Sequence, residues 1–340
     1  MKLYFLNPRE TDLADPDTAV VDSIKSELLQ RPGIVEAASH ADADAIILQE
    51  PWSYREWRYI PKLLADPVVG RYPHKVYTIN TDDAGSGLLR GVYAGLPRRR
   101  LNPAIHAAVP FLLQHNEFVL ERAGAPRPQP TFLGTWRGNP RSNVKLRGQL
   151  LDVCGRSPAF RAESSESWLN HGIDEKRLYV DLLLSGKFSL CPGGWTPATF
   201  RIYESMALGV VPVIIADEYV PPNGPNWSEV SLRIAEADLP HIERELNKHA
   251  DRYLELGQRA NEAWQRYFRP DLLISYYSDA LLSCIRSSAG KGTAAEEIKR
   301  WKSPQMYWAN QWSIPQRVGN RVGRMAGQLR SRFGSARHAS

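Results

Sequence analysis

A chain of 340 residues, 43% apolar and 24% charged, is long enough for two ordinary domains, each with its own core. Three cysteines (Cys154, Cys191 and Cys284) are too few and too scattered for a disulfide scaffold or a metal cluster, and they fit a reducing compartment. The net charge of +6 is uneven: residues 286–340 carry eleven Lys/Arg against two Glu, leaving −3 on residues 1–285, so the basic balance belongs to the tail and does not make the body a nucleic-acid binder.

The first residues, MKLYFLNPRE, read as a strand over Lys2–Leu6 entering a loop, without the apolar length of a signal peptide. No run of about 18 apolar residues suggests a membrane-spanning helix. A helix follows around Ala19–Leu29, then a buried four-residue run at Ala45–Leu48, aromatic-rich helical sequence through Trp57 and Leu64, and a strand at Lys75–Ile79 ending in Asn80-Thr81-Asp82-Asp83. Ala108–Leu120 holds a further buried strand or helix. Short apolar runs alternating with helical segments predict an α/β fold with a mostly parallel sheet and helices on both faces.

Gly124–Pro130, GAPRPQP, marks the best boundary, rich in Pro and Gly between two apolar runs. A second α/β set follows: a strand at Thr131–Leu133, a helix over Asn143–Val153, a strand at Phe188–Cys191, a helix over Thr199–Leu208, a strand at Val211–Ile215 and one or two helices across Ile242–Tyr267. The expected domains are 1–126 on the acceptor side, 127–285 binding the donor, and 286–340 as an aromatic and basic, partly helical extension. A central cleft between two such domains suits the joining of two substrates. No internal repeat is visible.

The informative stretch is Lys187–Asp217. A strand leads into Cys191-Pro192-Gly193-Gly194, where glycines permit unusual backbone angles and close ligand approach. The next helix would present unpaired N–H groups to phosphate oxygens. Within it Arg201, Glu204 and Ser205 share a face: the cation can offset diphosphate charge and the carboxylate can accept ribose hydroxyl protons, or the two can simply form an exposed intrahelical pair. Asp217 sits at the carboxyl end of the following strand, where ligands of parallel sheets bind. Neither a GxGxxG fingerprint nor a P-loop is present, which removes the main support for dinucleotide binding and NTP hydrolysis.

Residues 131–285 resemble the C-terminal half of exostosin-like glycosyltransferases. The shared features are Phe132-Leu133-Gly134 with Arg137, Arg141 to Leu150, Ser185 through Gly194, Arg201 through Ile214, Asp217-Glu218-Tyr219-Val220-Pro221-Pro222, Trp227-Ser228 and Ser231-Leu232-Arg233-Ile234. The resemblance implies two Rossmann-like domains of the glycosyltransferase-B type, an inverting reaction, a nucleotide-diphosphate sugar as donor and no bound metal or other cofactor. By that analogy Glu204 holds the ribose, Arg201 and the Gly193-Gly194 loop face the diphosphate, and Arg137 and Lys145 are further phosphate-side candidates. It also implies a C-terminal helix returning across the first domain. Without the membrane anchor of animal and plant relatives, a cytoplasmic bacterial-type enzyme of polysaccharide biosynthesis is expected, placed at the inner face of the membrane by its tail.

Inverting transfer needs a base for the acceptor hydroxyl and positive charge for the departing diphosphate. Asp83 and Asp82, just past a strand, and then Glu50, just past another, are the candidate bases, although Asn-Thr-Asp-Asp also makes caps and tight turns. His171 ranks below them, and the dispersed histidines form no zinc motif. Trp52, Trp57 and Tyr59 either line an acceptor groove or fill a core. In the tail, polar SSAGKGTAAEE reads as flexible. Residues 315–335 then place Val318, Val322, Met325, Leu329 and Phe333 at helical spacing among arginines, which suits an anionic membrane surface or a disordered solubilising tail. The expected acceptor is a glycan or lipid-linked hydroxyl, with no specific nucleic-acid partner. A retaining enzyme of the same architecture and a non-catalytic sugar-nucleotide or polysaccharide binder are the alternatives.

Overall fold

The computed structural model describes residues 1–50, 59–83, 85–112, 116–165 and 172–309. Its first half runs β1 (Lys2–Phe5), α1 (Ala19–Leu29), β2 (Val35–Glu36), β3 (Ala45–Gln49), α2 (Tyr59–Ala65), β4 (Val76–Asn80), β5 (Arg90–Tyr93), β6 (His106–Ala108) and α3 (Glu117–Arg122). The second half runs β7 (Phe132–Gly138), α4 (Val144–Cys154), β8 (Phe160–Ser164), α5 (Ile173–Leu184), β9 (Gly186–Pro192), α6 (Phe200–Ala207), β10 (Val211–Ile215), α7 (Trp227–Val230), β11 (Leu232–Arg233), α8 (Ile242–Asn247) and α9 (Tyr253–Tyr267). The chain closes with α10 (Pro270–Ser288), α11 (Ala294–Trp301) and α12 (Pro304–Ala309).

All pairings within the two sheets are parallel, in the orders β2-β1-β3-β4-β5-β6 and β11-β10-β9-β7-β8. Read from the first strand of each half, both sheets share the doubly wound order 2-1-3-4-5, so the halves repeat in topology although no repeat is visible in sequence. Helices cover both faces, which gives the two-Rossmann-like-domain architecture. In β3 the strand period of two sends Ala45 and Ile47 to the core under α1 and α10, and Ile46 and Leu48 to the core under α2 and α11. In the second sheet Val211, Val213 and Ile215 of β10 pack with Leu146 and Leu150 of α4, while Ile214 joins the core holding Ile202 and Met206 of α6.

The chain changes partners at residues 267–270. Phe268 is buried, with ring centroids 5.1 Å from Tyr203, 5.8 Å from Trp227 and 5.9 Å from Tyr276, and Pro270 opens α10 at a position where its missing N–H costs no hydrogen bond. Helix α10 then lies on the first sheet, where Tyr277 Oη donates to Pro110 O at 2.5 Å and Ser288 Oγ lies 2.8 Å from Tyr77 Oη. The boundary expected after residue 285 falls inside this helix.

The polar stretch after it, read as flexible, is built into the first domain as far as residue 309. Thr293 and Glu296 form a reciprocal capping box that starts α11. Glu297, 5% exposed, pairs with the buried Arg90 at 3.3 Å and with Arg300 at 2.5 Å, and Trp301 Nε1 donates to Leu88 O at 2.7 Å from a fully buried indole. The arginine-rich segment 315–335 lies outside the described residues, as do Trp52, Trp57 and His171. Among the described residues no helix is long and apolar enough to cross a membrane.

Trp301→Ala is expected to cost about 3–5 kcal/mol, because it opens a large cavity under β3 and β4. Trp308→Ala, at a position 66% exposed, is expected to change stability by no more than about 0.5 kcal/mol. Urea unfolding of both variants checks the difference.

Candidate functional site

A cavity of about 520 Å³ opens where the carboxyl ends of the two parallel sheets meet. The first half contributes Asp83 beyond β4, Phe111 beyond β6 and Asn116 at the start of α3. The second half contributes the end of β7, the first turns of α4, α5 and α6, and the loop after β9. In the second sheet this is the gap between β7 and β9, where the strand order reverses and ligands of doubly wound folds settle.

Helix α6 supplies Arg201 and Glu204, three residues apart and both facing the cavity. They do not form an exposed pair: Arg201 is 9% and Glu204 8% exposed. Arg201 Nη2 donates to the carbonyl of Arg137, and the guanidinium lies 5.0 Å from the Tyr179 ring centroid and 5.9 Å from that of Trp136. Among the described residues its Nη1 is buried without a hydrogen-bond partner. Such an orphan donor costs roughly 1–3 kcal/mol until an acceptor arrives. Glu204 Oε2 accepts from Tyr179 Oη at 2.5 Å, and Oε1 has no protein donor among the described residues. Burial pushes the Glu204 carboxyl above its usual pKa, opposed by the Tyr179 hydroxyl and the Arg201 charge.

The second cation is Arg147 of α4, which sequence reasoning missed. Its Nη1 donates to Asn139 O at 2.9 Å, Nε to Gly193 O at 3.2 Å and Nη2 to Pro192 O at 3.3 Å. It lies 5.8 Å from the Trp136 centroid, so two guanidiniums flank one indole, each within cation–π range. Burial first, and then the neighbouring Arg201 charge, lower its pKa to about 10, so it stays charged at neutral pH. The predicted Lys145 lies two residues earlier, hence on the opposite side of α4, exposed and outside the cavity lining.

The glycine loop works differently from expectation. The Gly193 N–H donates to Ile215 O at 3.1 Å and the Gly194 N–H to Thr196 O at 2.8 Å, so neither is available to an anion, and neither residue has positive φ. Gly194 is small for another reason: a Cβ there would fall 2.9 Å from Arg147 Nη2. Arg137 lines the cavity, but its donors are taken by Glu175 at 2.8 Å and by Glu163 on the neighbouring strand, so it is not a free phosphate ligand. Ser205 turns inward, fully buried, and donates to Arg201 O at 2.5 Å. Asp217 is exposed and exchanges two 3.1 Å hydrogen bonds with Glu236 away from the cavity.

Of the three candidate bases only Asp83 lines the cavity, where Thr196 Oγ1 from the opposite half donates to its Oδ1 at 3.2 Å. Asp82 lies outside the lining. Its N–H is 3.3 Å from Asn80 Oδ1, and burial followed by the charges of Asp15, Asp83 and Glu50 raises its pKa to about 7. Glu50 is fully buried, accepts from Tyr59 Oη and from Asn80 Nδ2 at 3.3 Å, and burial raises its pKa, so it is a core group and not a base in the cleft. Tyr59 likewise fills the core instead of an acceptor groove. Two lining residues that no motif marked complete the wall: Tyr179 of α5, and Trp195, which is 47% exposed.

Chemically, the cavity offers two paired cations and an orphan donor for a diphosphate, a carboxylate for a diol, and a carboxylate on the facing wall for a proton. A family model for the exostosin GT47 domain matches residues 74–249, a little over half of the chain. A probable glucuronosyltransferase of rice (Oryza sativa subsp. japonica) is 36% identical over 107 residues, 30% of this chain and 22% of the relative. A probable glucuronoxylan glucuronosyltransferase of Arabidopsis thaliana is 45% identical over 111 residues, 28% of this chain and 24% of the relative. The chain thus spans about a quarter or less of these relatives, and their plant origin gives the bacterial expectation no support. Among solved structures, TarM overlaps with a TM-score of 0.40 at 11% identity over 71% of this chain and 55% of its own, and an α1,3-fucosyltransferase with 0.36 at 10% over 92% and 93%. Overlaps this low do not bear on the site.

Inorganic pyrophosphate is expected to bind the cavity. Arg201→Met and Arg147→Met should each weaken it by about ten- to a hundredfold, the worth of one or two charge-assisted hydrogen bonds, while Lys145→Met leaves it unchanged. Isothermal calorimetry on the three variants checks this.

Proposed function

Because the chain belongs to the exostosin GT47 family, we propose that it is an inverting glycosyltransferase that moves a sugar from a nucleotide-diphosphate donor to a hydroxyl of a glycan or lipid-linked acceptor. The observation that carries this reading is the orphan Nη1 of Arg201 beside Glu204, in a cavity where Arg147 adds a second charge. The nucleotide's ribose lies against Glu204, with its hydroxyls donating to the carboxylate. The diphosphate lies against Arg201 and Arg147.

Reaction then needs one displacement. The acceptor oxygen attacks the anomeric carbon and the bond from that carbon to the diphosphate oxygen breaks. The leaving group departs with the electron pair, its charge met by the two guanidiniums, and Asp83 takes the acceptor proton. Asp83 comes from the first half of the chain and the guanidiniums from the second. A base on the wall facing the leaving group suits direct inversion. Two fixed cations supply the charge that a metal ion would otherwise bring, so we read the reaction as metal-independent. The names of the relatives make a glucuronosyl group the first to test.

Asp83→Asn should lower turnover by about 10²–10⁴-fold while nucleotide affinity holds, and NMR of an early product should show the anomeric configuration opposite to the donor's. Retained configuration would sink the inverting reading, and nucleotide binding without turnover in the native chain would favour a non-catalytic binder. A thermal-shift panel of UDP, GDP, ADP, CMP and TDP, with and without Mg²⁺, identifies the nucleotide. Affinity for it should fall as pH falls through the raised pKa of Glu204, because the protonated acid loses acceptor capacity for the ribose hydroxyls. Glu204→Gln should bind weakly and flatten the profile, which calorimetry from mildly alkaline to mildly acidic buffer reads directly.

A further inference from the structure

Trp195 has no part in the chemistry derived so far, yet its place in the chain is specific. The residue before it, Gly194, packs against Arg147, with the glycine's missing Cβ 2.9 Å from Nη2. The residue after it, Thr196, donates to Asp83 at 3.2 Å. Successive Cα atoms are ~3.8 Å apart, so these two contacts are carried by backbone positions at most about 7.6 Å apart, with Trp195 between them. One neighbour therefore touches the cation that meets the leaving group, and the other touches the base. The sugar in transit has to lie between those two groups.

A single exposed tryptophan on a surface ordinarily signals nothing. This one is 47% exposed while forming part of the cavity wall, and it is the largest apolar side chain exposed there. The rest of that wall, with Arg147, Arg201, Glu204 and Asp83, is made for charge and hydrogen bonds. A sugar ring needs both kinds of surface: its hydroxyl edge takes hydrogen bonds, and its C–H face carries the partial positive charge that complements the negative face of an aromatic ring.

We propose that Trp195 is the platform of the donor-sugar subsite, taking the C–H face of the pyranose ring carried by the nucleotide. The assignment rests on the reading of the cavity as a nucleotide-sugar site and adds the group that distinguishes a sugar conjugate from the bare nucleotide. The indole contributes to binding the sugar and nothing to binding the nucleotide.

The test compares, by calorimetry on the full chain, the affinity of UDP with UDP-glucose, UDP-xylose and UDP-glucuronic acid, and of GDP with GDP-glucose and GDP-mannose. In the native protein at least one conjugate should bind more tightly than its own nucleotide. Trp195→Ala should shrink that advantage by about three- to tenfold with nucleotide affinity unchanged, and Trp195→Phe should keep most of it. Trp195→Leu, which retains apolar bulk without a flat face, should behave like Ala and serves in its place if the Ala variant has a lowered thermal midpoint. An undiminished advantage in Trp195→Ala overturns the proposal, as does an equal loss for nucleotide and conjugate, which would put the base on the indole. A conjugate that never outbinds its nucleotide also overturns it. If no nucleotide binds the native chain, the reading of the cavity itself falls, a result distinct from all of these.

Discussion

Two guanidiniums held against one indole organise the second half's wall of the cavity. Arg147 and Arg201 come from different helices, α4 and α6, and converge on Trp136 of β7. Like charges at that proximity repel, and the Arg201 charge adds to burial, the larger cause, in lowering the pKa of Arg147. The arrangement is held by the negative face of the indole, by backbone carbonyls of the β7 and β9 ends, and by the cores that fix the two helices. An anion with charge spread over several oxygens relieves the repulsion and satisfies the orphan donor together. The smallness of Gly194 follows from the same need, since any side chain there would displace Arg147.

The facing wall is electrostatically opposite. Asp15, Glu50, Asp82 and Asp83 lie near one another at the carboxyl end of the first sheet, where burial first, and then the charges of the other three, raise the pKa of Asp82 to about 7. Only Asp83 reaches the cavity, and it does so while accepting from Thr196 of the other half. The cleft therefore has a positive pole at the two guanidiniums and a negative pole at the aspartate. Lys176–Glu117 and Arg99–Glu218 add ion pairs between the halves at 2.7 Å and 3.6 Å.

Much of the fold was legible because its signals are local. Ala45–Leu48 and Val211–Ile215 are unbroken apolar runs, and Ala19–Leu29 shows helical spacing, so each is legible nearly residue for residue. Strand β8, FRAES, buries only Phe160, and β5 opens with Arg90, whose charge is compensated by Glu297 some two hundred residues away. Neither carries a pattern that a short window detects. The site divides the same way. Arg201 and Glu204 were legible because helical periodicity places them together. Arg147 was not, because which side of α4 meets the cleft depends on how the helix sits on β9. Tyr179 was not, because its marks are partners more than twenty residues on, Arg201 and Glu204. Glu50 misled in the other direction: a carboxylate at a strand end reads as reactive until its buried partners are seen.

Helix α10 reaches back from the second half to complete the first, and this sets the order of events during synthesis. The first sheet emerges from the ribosome long before the helix and the Trp301 plug that seal it, so its apolar faces stay uncovered until those later residues are made. A fragment ending at the Pro-rich linker would lack both covers and be prone to aggregate, whereas the second half emerges with most of its own layers already in hand. The nascent protein should therefore acquire protease resistance in its second half first, and in its first half only once α10 and Trp301 have emerged.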